Sequence, residues 1–193
     1  MRRRCSRRFA PPAIVIGRSY GGEIALELAR RHREAVEALV LLDASPLHLD
    51  PQAQRWGAAL KASIEHAATH APDRVGETLI RAALGEGSWE ALPAAARDLF
   101  THNGPAIVAE FNGGESDLDE SALATIDRPT LLVTAADSAE AFRRVAERVA
   151  AALRRCQQLE VPGGHMIDPA HPAIIAFIER TIGTGEGSSA APA

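Results

Sequence analysis

Short apolar runs alternate with segments of helical periodicity near the start of the chain. Residues 13–17 (AIVIG) are a continuous branched run, and residues 37–46 (EALVLLDASP) are a second apolar run closed by turn residues. Between them, residues 21–32 carry apolar side chains at the spacing of one helix face. Continuous apolar runs are typical of strands that are buried on both faces. The pattern therefore predicts a βαβ unit with two parallel strands.

The same alternation returns towards the end of the chain. Residues 128–137 (RPTLLVTAAD) and 157–165 (QQLEVPGGH) predict two more strands, the second ending in a Gly-Gly turn. Residues 138–156 predict a helix with Ser138 as its N-cap. Residues 171–183 predict a last helix with Pro172 in its first turn and Gly183 as its stop. The fold class expected is α/β, with a parallel sheet of about four strands flanked by helices.

Residues 47–122 have a different character. They are rich in alanine, contain no branched apolar run, and divide into helix-like patches separated by Gly or Pro, which predicts three to five short helices. We expect four regions: a basic, disordered arm (1–12), an α/β core (13–46 and 123–183), a helical insertion (47–122) and a low-complexity, disordered tail (184–193).

Composition narrows the function classes. The 193 residues are 46% hydrophobic and 24% charged, as in a single globular domain, and the net charge of -4 argues against nucleic acid or an anionic membrane as a partner. Cys5 and Cys156 are isolated, so the sequence predicts neither a disulfide framework nor a cysteine metal site. Their isolation favours a location in the reducing cytoplasm. We expect no metal and no cofactor.

A glycine-flanked serine lies between the first predicted strand and helix. Residues 17–21 read Gly-Arg-Ser-Tyr-Gly, and a Gly-x-Ser-x-Gly in this context predicts a sharp turn that lifts the hydroxyl of Ser19 above the sheet edge. We expect Gly17 and Gly21 to be glycines because the turn leaves no room for a Cβ atom. The helix that follows directs N–H groups at the negative charge of an attacked carbonyl. Ser19 is the candidate nucleophile.

A nucleotide-binding alternative is weaker. The glycines of this segment do not have the G-x-G-x-x-G spacing, and Asp43 alone stands at the distance of the acidic residue that binds a ribose.

A serine nucleophile requires a base and an acid that orients it. Of the seven histidines, His165 alone is placed by glycines after a predicted strand, where catalytic groups gather in parallel sheets. Asp137 ends the preceding strand and gives the chain order Ser, Asp, His. Asp43, which ends the strand before that, is the alternative acid. Asp168 is expected to cap the region of the last helix.

Three segments together, residues 14–46, 128–149 and 159–178, resemble the second half of an α/β-hydrolase-fold enzyme. The resemblance extends over residues 12–183 and implies Ser19 as nucleophile, Asp137 as acid and His165 as base. It also implies that the Tyr20 backbone N–H is one oxyanion donor. The insertion would be a lid over the substrate pocket, for which the expected lining residues are Arg18, Trp56, Phe100, Phe111 and Met166.

The resemblance implies a carboxylesterase-like serine hydrolase acting on a small or medium ester. This sequence departs from the family because few residues precede the first strand, and none of them resembles the loop that supplies a second oxyanion N–H. The alternative is therefore an impaired α/β-hydrolase fragment, inactive or dependent on a partner. A second copy or a partner chain would then cover the exposed sheet edge.

Overall fold

The computed structural model describes residues 12–114 and 116–186, with the side chains of 184–186 excepted. The expectations for Cys5, for the basic arm before Pro12 and for residues 187–193 lie outside the described residues. Within this part of the chain no helix is long and apolar enough to cross a membrane.

Four strands form one parallel sheet in the order β1-β2-β3-β4. They are β1 (Ala13–Arg18), β2 (Val36–Leu42), β3 (Thr130–Ala135) and β4 (Cys156–Val161). The sheet of four parallel strands predicted from the apolar runs is confirmed. Because all strands run the same way, the residues that follow them emerge at one edge of the sheet.

Helices pack on both faces of the sheet and form the insertion. They are α1 (Tyr20–Arg31), α2 (Pro51–His70), α3 (Val75–Leu84), α4 (Ser88–Ala91), α5 (Ala94–His102), α6 (Gly104–Asn112), α7 (Glu120–Leu123), α8 (Glu140–Ala152) and α9 (Pro172–Glu186). The first helix of the insertion, α2, has 20 residues and is longer than expected.

The alternating side chains of β2 explain why its sequence is apolar throughout. Leu39 and Leu41 pack into a core with α1 and α8, whereas Val40 and Leu42 pack into a second core with α9. All four are at most 1% exposed. A third apolar cluster lies within the insertion and includes Leu60, Ile64, Val75 and Ile107. Helices on both faces therefore hold the sheet edge that carries the site.

Two predicted helix ends differ from the structure. Ser138 is not the N-cap of α8, since that helix begins at Glu140 with Ala139 in the capping position. The Ser138 hydroxyl donates instead to the carboxylate of Asp43. Gly183 does not end the last helix, which continues to Glu186 and so includes the first residues of the expected tail.

Candidate active site

Ser19 occupies a strained turn between β1 and α1. Its backbone has φ 52° and ψ -126°, a conformation that residues other than glycine rarely adopt. The Ser19 N–H donates to the Leu42 carbonyl at 3.0 Å, and the Ser19 carbonyl accepts from the N–H groups of Gly22 (2.9 Å) and Ser45 (3.1 Å). These bonds to the end of β2 and the start of α1 hold the turn in place.

The close packing of the turn depends on Gly17 and Gly22. A Cβ atom on Gly17 would lie 2.3 Å from the Gly21 carbonyl oxygen, and one on Gly22 would lie 2.5 Å from the Ala44 Cβ atom. Gly21 differs from the expectation, because a Cβ atom there would meet nothing within 4 Å. The second glycine that the packing requires is thus one residue later than the sequence pattern predicts.

The carboxylate that meets His165 belongs to Asp43. The Nδ1 atom of His165 lies 3.2 Å from Asp43 Oδ2, and the two side chains are almost wholly buried. The expected pairing of His165 with Asp137 is not formed. Asp137 is exposed, two residues beyond the end of β3, where its backbone N–H donates to the Gly163 carbonyl. Asp43, the alternative acid in the sequence analysis, is therefore the carboxylate that contacts His165.

Two donors from the end of β3 hold the Asp43 carboxylate. Ser138 Oγ donates to Oδ2 at 2.5 Å, and the Ala135 N–H donates to Oδ1 at 3.2 Å. Asp43 itself has φ 42°, like Ser19 a left-handed conformation in a residue that is not glycine. Its carboxylate thus accepts three hydrogen bonds if His165 donates through Nδ1, an arrangement that fixes its orientation.

An aromatic ring supports His165 from α8. Phe142 stacks on the imidazole with a centroid distance of 4.2 Å and an interplanar angle of 23°, and Trp56 meets the same phenyl ring edge-on. The sequence of residues 138–156 predicts this helix but gives no sign of the contact between Phe142 and His165. Helical periodicity identifies the face and does not identify the partner across it.

A cavity of about 750 Å³ opens in front of these groups. Ser19 and His165 both line it, and α2, α3, α5 and α6 of the insertion form much of its wall. Every side chain expected in the pocket is found there: Arg18, Trp56, Phe100, Phe111 and Met166. No hydrogen bond joins Ser19 Oγ to the His165 ring in the described structure, and such bonds often tighten only when substrate is bound.

Arg18 connects the nucleophile turn to the loop that carries the histidine. Its guanidinium donates to the Ile167 carbonyl and lies 3.7 Å from the Met166 sulfur. Arg18 therefore links residues on both sides of the cavity, and its Nε atom is buried with no hydrogen-bond partner among the described residues.

The Tyr20 N–H is at the first position of α1, where a backbone donor has no acceptor within the helix. It stands next to Ser19 at the positive end of the helix dipole, so it can donate a hydrogen bond to a negatively charged oxygen of a bound ligand.

No group of three or more metal-binding side chains occurs within residues 12–114 and 116–186.

The sequence is similar to a known protein family and to a known lipase. Residues 5–176 match the model of a family described as the alpha/beta hydrolase family. Lipase LipV of Mycobacterium tuberculosis is 27% identical over an alignment of 190 residues, and the match covers 88% of this chain and 68% of LipV.

Solved structures show the same fold. MenH from S. aureus superimposes with a TM-score of 0.67 at 18% identity, covering 89% of this chain and 69% of that one. A thermophilic esterase from Thermogutta terrifontis gives a TM-score of 0.61 at 21% identity, covering 92% of this chain and 64% of the esterase.

Proposed function

Because the chain belongs to the alpha/beta hydrolase family, we propose that it is a carboxylesterase-like serine hydrolase that cleaves a small or medium ester through an acyl-enzyme. The observation that carries the proposal is the buried Asp43–His165 pair, whose histidine lines the same cavity as the strained Ser19. The similarity to lipase LipV supports the substrate class.

The proposed reaction begins with attack of Ser19 Oγ on the ester carbonyl carbon. An ionised Asp43 can only accept, so His165 donates to it through Nδ1–H and keeps Nε2 free as the base. Nε2 takes the Ser19 proton, and the Tyr20 N–H donates to the carbonyl oxygen as it becomes negative. The proton then passes to the leaving alcohol as the C–O bond breaks.

Hydrolysis of the acyl-enzyme repeats these roles. His165 removes a proton from water, whose oxygen attacks the acyl carbon, and returns that proton to Ser19 Oγ as the acid leaves. Helices of the insertion act as a lid in this proposal, since their apolar side chains form a wall of the cavity that limits the access of water.

Hydrolysis of p-nitrophenyl butyrate tests the proposal. Ser19→Ala is expected to reduce turnover to the level of the buffer, and Ser121→Ala, which alters an exposed serine of α7, should match the parent. An active Ser19→Ala variant would refute the assignment of the nucleophile.

A second candidate is a chain that is inactive until a partner covers the edge of its sheet. β1 has one strand neighbour in the described sheet, and Ile16 on this strand is 43% exposed. Exposed edge strands are where further strands add. A monomer that hydrolyses the ester would exclude this candidate, whereas activity confined to an oligomer or a complex would support it.

A further inference from the structure

The charged groups on the cavity wall differ in the kind of partner they have. Within the described structure, two groups that carry or can carry positive charge lie beside a carboxylate and two donate to a backbone carbonyl, so no carboxylate neutralises Arg18. These pairs are Arg18 with the Ile167 carbonyl, Lys61 with Glu65, His48 with the Leu118 carbonyl, and His165 with Asp43.

The two carboxylates that line the cavity, Glu23 and Glu110, have no cationic partner among the described residues. No lysine, arginine or histidine nitrogen of the described residues lies within 4.0 Å of either one. Glu23 is only 7% exposed, and among the described residues the Ser116 N–H donates to its Oε1 atom at 3.3 Å. A positively charged ligand would therefore stabilise this largely buried carboxylate.

Glu110 shares the electrostatic environment of Glu23. It lies near the end of α6 on the same cavity, and its pKa is raised by partial burial and by repulsion from the Glu23 charge. Because Lys61 lies beside Glu65, the two carboxylates outnumber Arg18, the remaining lysine or arginine on this wall among the described residues, and the wall carries a negative charge. Four aromatic side chains (Trp56, Phe100, Phe111 and Phe142) line the same space and offer ring faces that also attract organic cations.

We propose that this cavity selects esters that carry an ammonium group, with Glu23 as the main specificity-determining residue and Glu110 as the second carboxylate. The claim rests on the proposed esterase function for the reaction and on Glu23 and Glu110 for the charge preference. Glu23 is four residues after Ser19, on the helix that begins at the nucleophile. Both residues line the cavity, so a cation bound by Glu23 belongs to a ligand in the same cavity as Ser19.

Binding of choline and of 3,3-dimethylbutan-1-ol tests the charge preference without any chemical step. The two alcohols have nearly the same shape and differ in a positive nitrogen against a neutral carbon. Affinities are measured by NMR titration of the Trp56 indole signal, and choline is expected to bind about tenfold tighter or more. Equal affinities, or tighter binding of the neutral alcohol, would overturn the proposal.

Variants assign the preference to the carboxylates. Glu23→Gln should reduce the choline preference to below about threefold, and Glu110→Gln should reduce it in part. Glu147→Gln, which alters an exposed residue of α8, should leave it unchanged. Glu110 is exposed, so its variant keeps the test decisive if Glu23→Gln fails to fold. A full preference retained in both folded cavity variants would contradict the proposal.

The substrate class is tested with butyrylcholine and 3,3-dimethylbutyl butyrate. In the parent chain the ratio of their kcat/KM values should favour the cation about tenfold, and Glu23→Gln should lower this ratio. A Ser19 that reacts as a nucleophile while the ratio stays near one would refute the charge preference and leave the esterase proposal intact. A choline preference that depends on Glu23 without any ester hydrolysis would refute the esterase proposal instead.

Discussion

Ser138 Oγ donates a 2.5 Å hydrogen bond to Asp43 Oδ2, the same oxygen that lies 3.2 Å from His165 Nδ1. The two residues are 95 positions apart and follow neighbouring strands of the sheet. The hydroxyl and the imidazole thus meet at a single carboxylate oxygen, which connects the end of β2 with the end of β3 and the loop after β4.

Replacement of the two candidate acids should separate their roles. Asp43→Asn is expected to lower kcat for p-nitrophenyl butyrate by about 10³–10⁴-fold, because the amide no longer favours the required His165 tautomer. Asp137→Asn should remain within about threefold of the parent, since its side chain is exposed. A larger loss from Asp137→Asn than from Asp43→Asn would contradict this assignment.

Loss of the Ser138 hydroxyl should weaken catalysis without abolishing it. Ser138→Ala removes one of the donors that hold Asp43, and a net loss of about 1 kcal/mol corresponds to a roughly fivefold lower kcat. Ser121→Ala is the matched control, because it removes a hydroxyl that donates to an aspartate, Asp119, on the surface. The kcat values of the two variants are compared by steady-state kinetics well below their melting temperatures. Identical values would count against a positioning role for Ser138.

The glycines of the nucleophile turn should tolerate alanine very differently. Gly17→Ala and Gly22→Ala should lower Tm sharply, because the new Cβ atoms would come within 2.5 Å of backbone or side-chain atoms. Gly21→Ala should keep or raise Tm, since its Cβ atom meets open space within α1 and alanine favours a helix. Thermal unfolding, monitored by circular dichroism, measures the Tm of each variant. A Gly21→Ala variant less stable than Gly17→Ala would be inconsistent with the structure.

The thiol of Cys156 should be unreactive in the folded chain. Burial raises its pKa to about 11, so the reactive thiolate near pH 8 is about a hundredfold scarcer than for a thiol with the ordinary value of 9.0. Ellman's reagent applied to a Cys5→Ser chain measures this single thiol. Its rate should rise about a hundredfold in guanidinium chloride, and equally fast reaction of the native chain would contradict the burial of Cys156.

Much of the site could be predicted from sequence because it follows strand ends. The run before Ser19 and the helix after it indicate the turn, and the Gly-Gly turn before His165 indicates its loop. The strand end before Asp137 and the chain order Ser, Asp, His favoured Asp137, which the resemblance to α/β hydrolases also implied, but Asp43 has the same chain order. The register pairs Arg18 with Leu42, so Ser19 and Asp43 are both the first residue after a paired strand end, and both have positive φ. The position of Asp43 directly after a strand end was therefore the signal that could have identified it as the acid.

Other features depend on contacts that no local pattern contains. Ser138 precedes a helix and fits the preference for an N-cap, yet its hydroxyl bonds to a carboxylate that only the fold brings near. Gly22 must be a glycine, whereas Gly21 need not be, because Ala44 packs against Gly22, and Ala44 follows another strand. The contact of Phe142 with His165 likewise arises between two separate elements.

Covalent labelling with a fluorophosphonate probe tests the central claim most directly. If Ser19 is a nucleophile activated by the Asp43–His165 pair, the folded chain should be labelled, and peptide mass spectrometry should place the phosphonate on Ser19. Labelling should fall by at least about a hundredfold in His165→Ala, and it should persist in Asp137→Asn. A folded parent chain that does not react, or label that resides on another residue, would contradict the account.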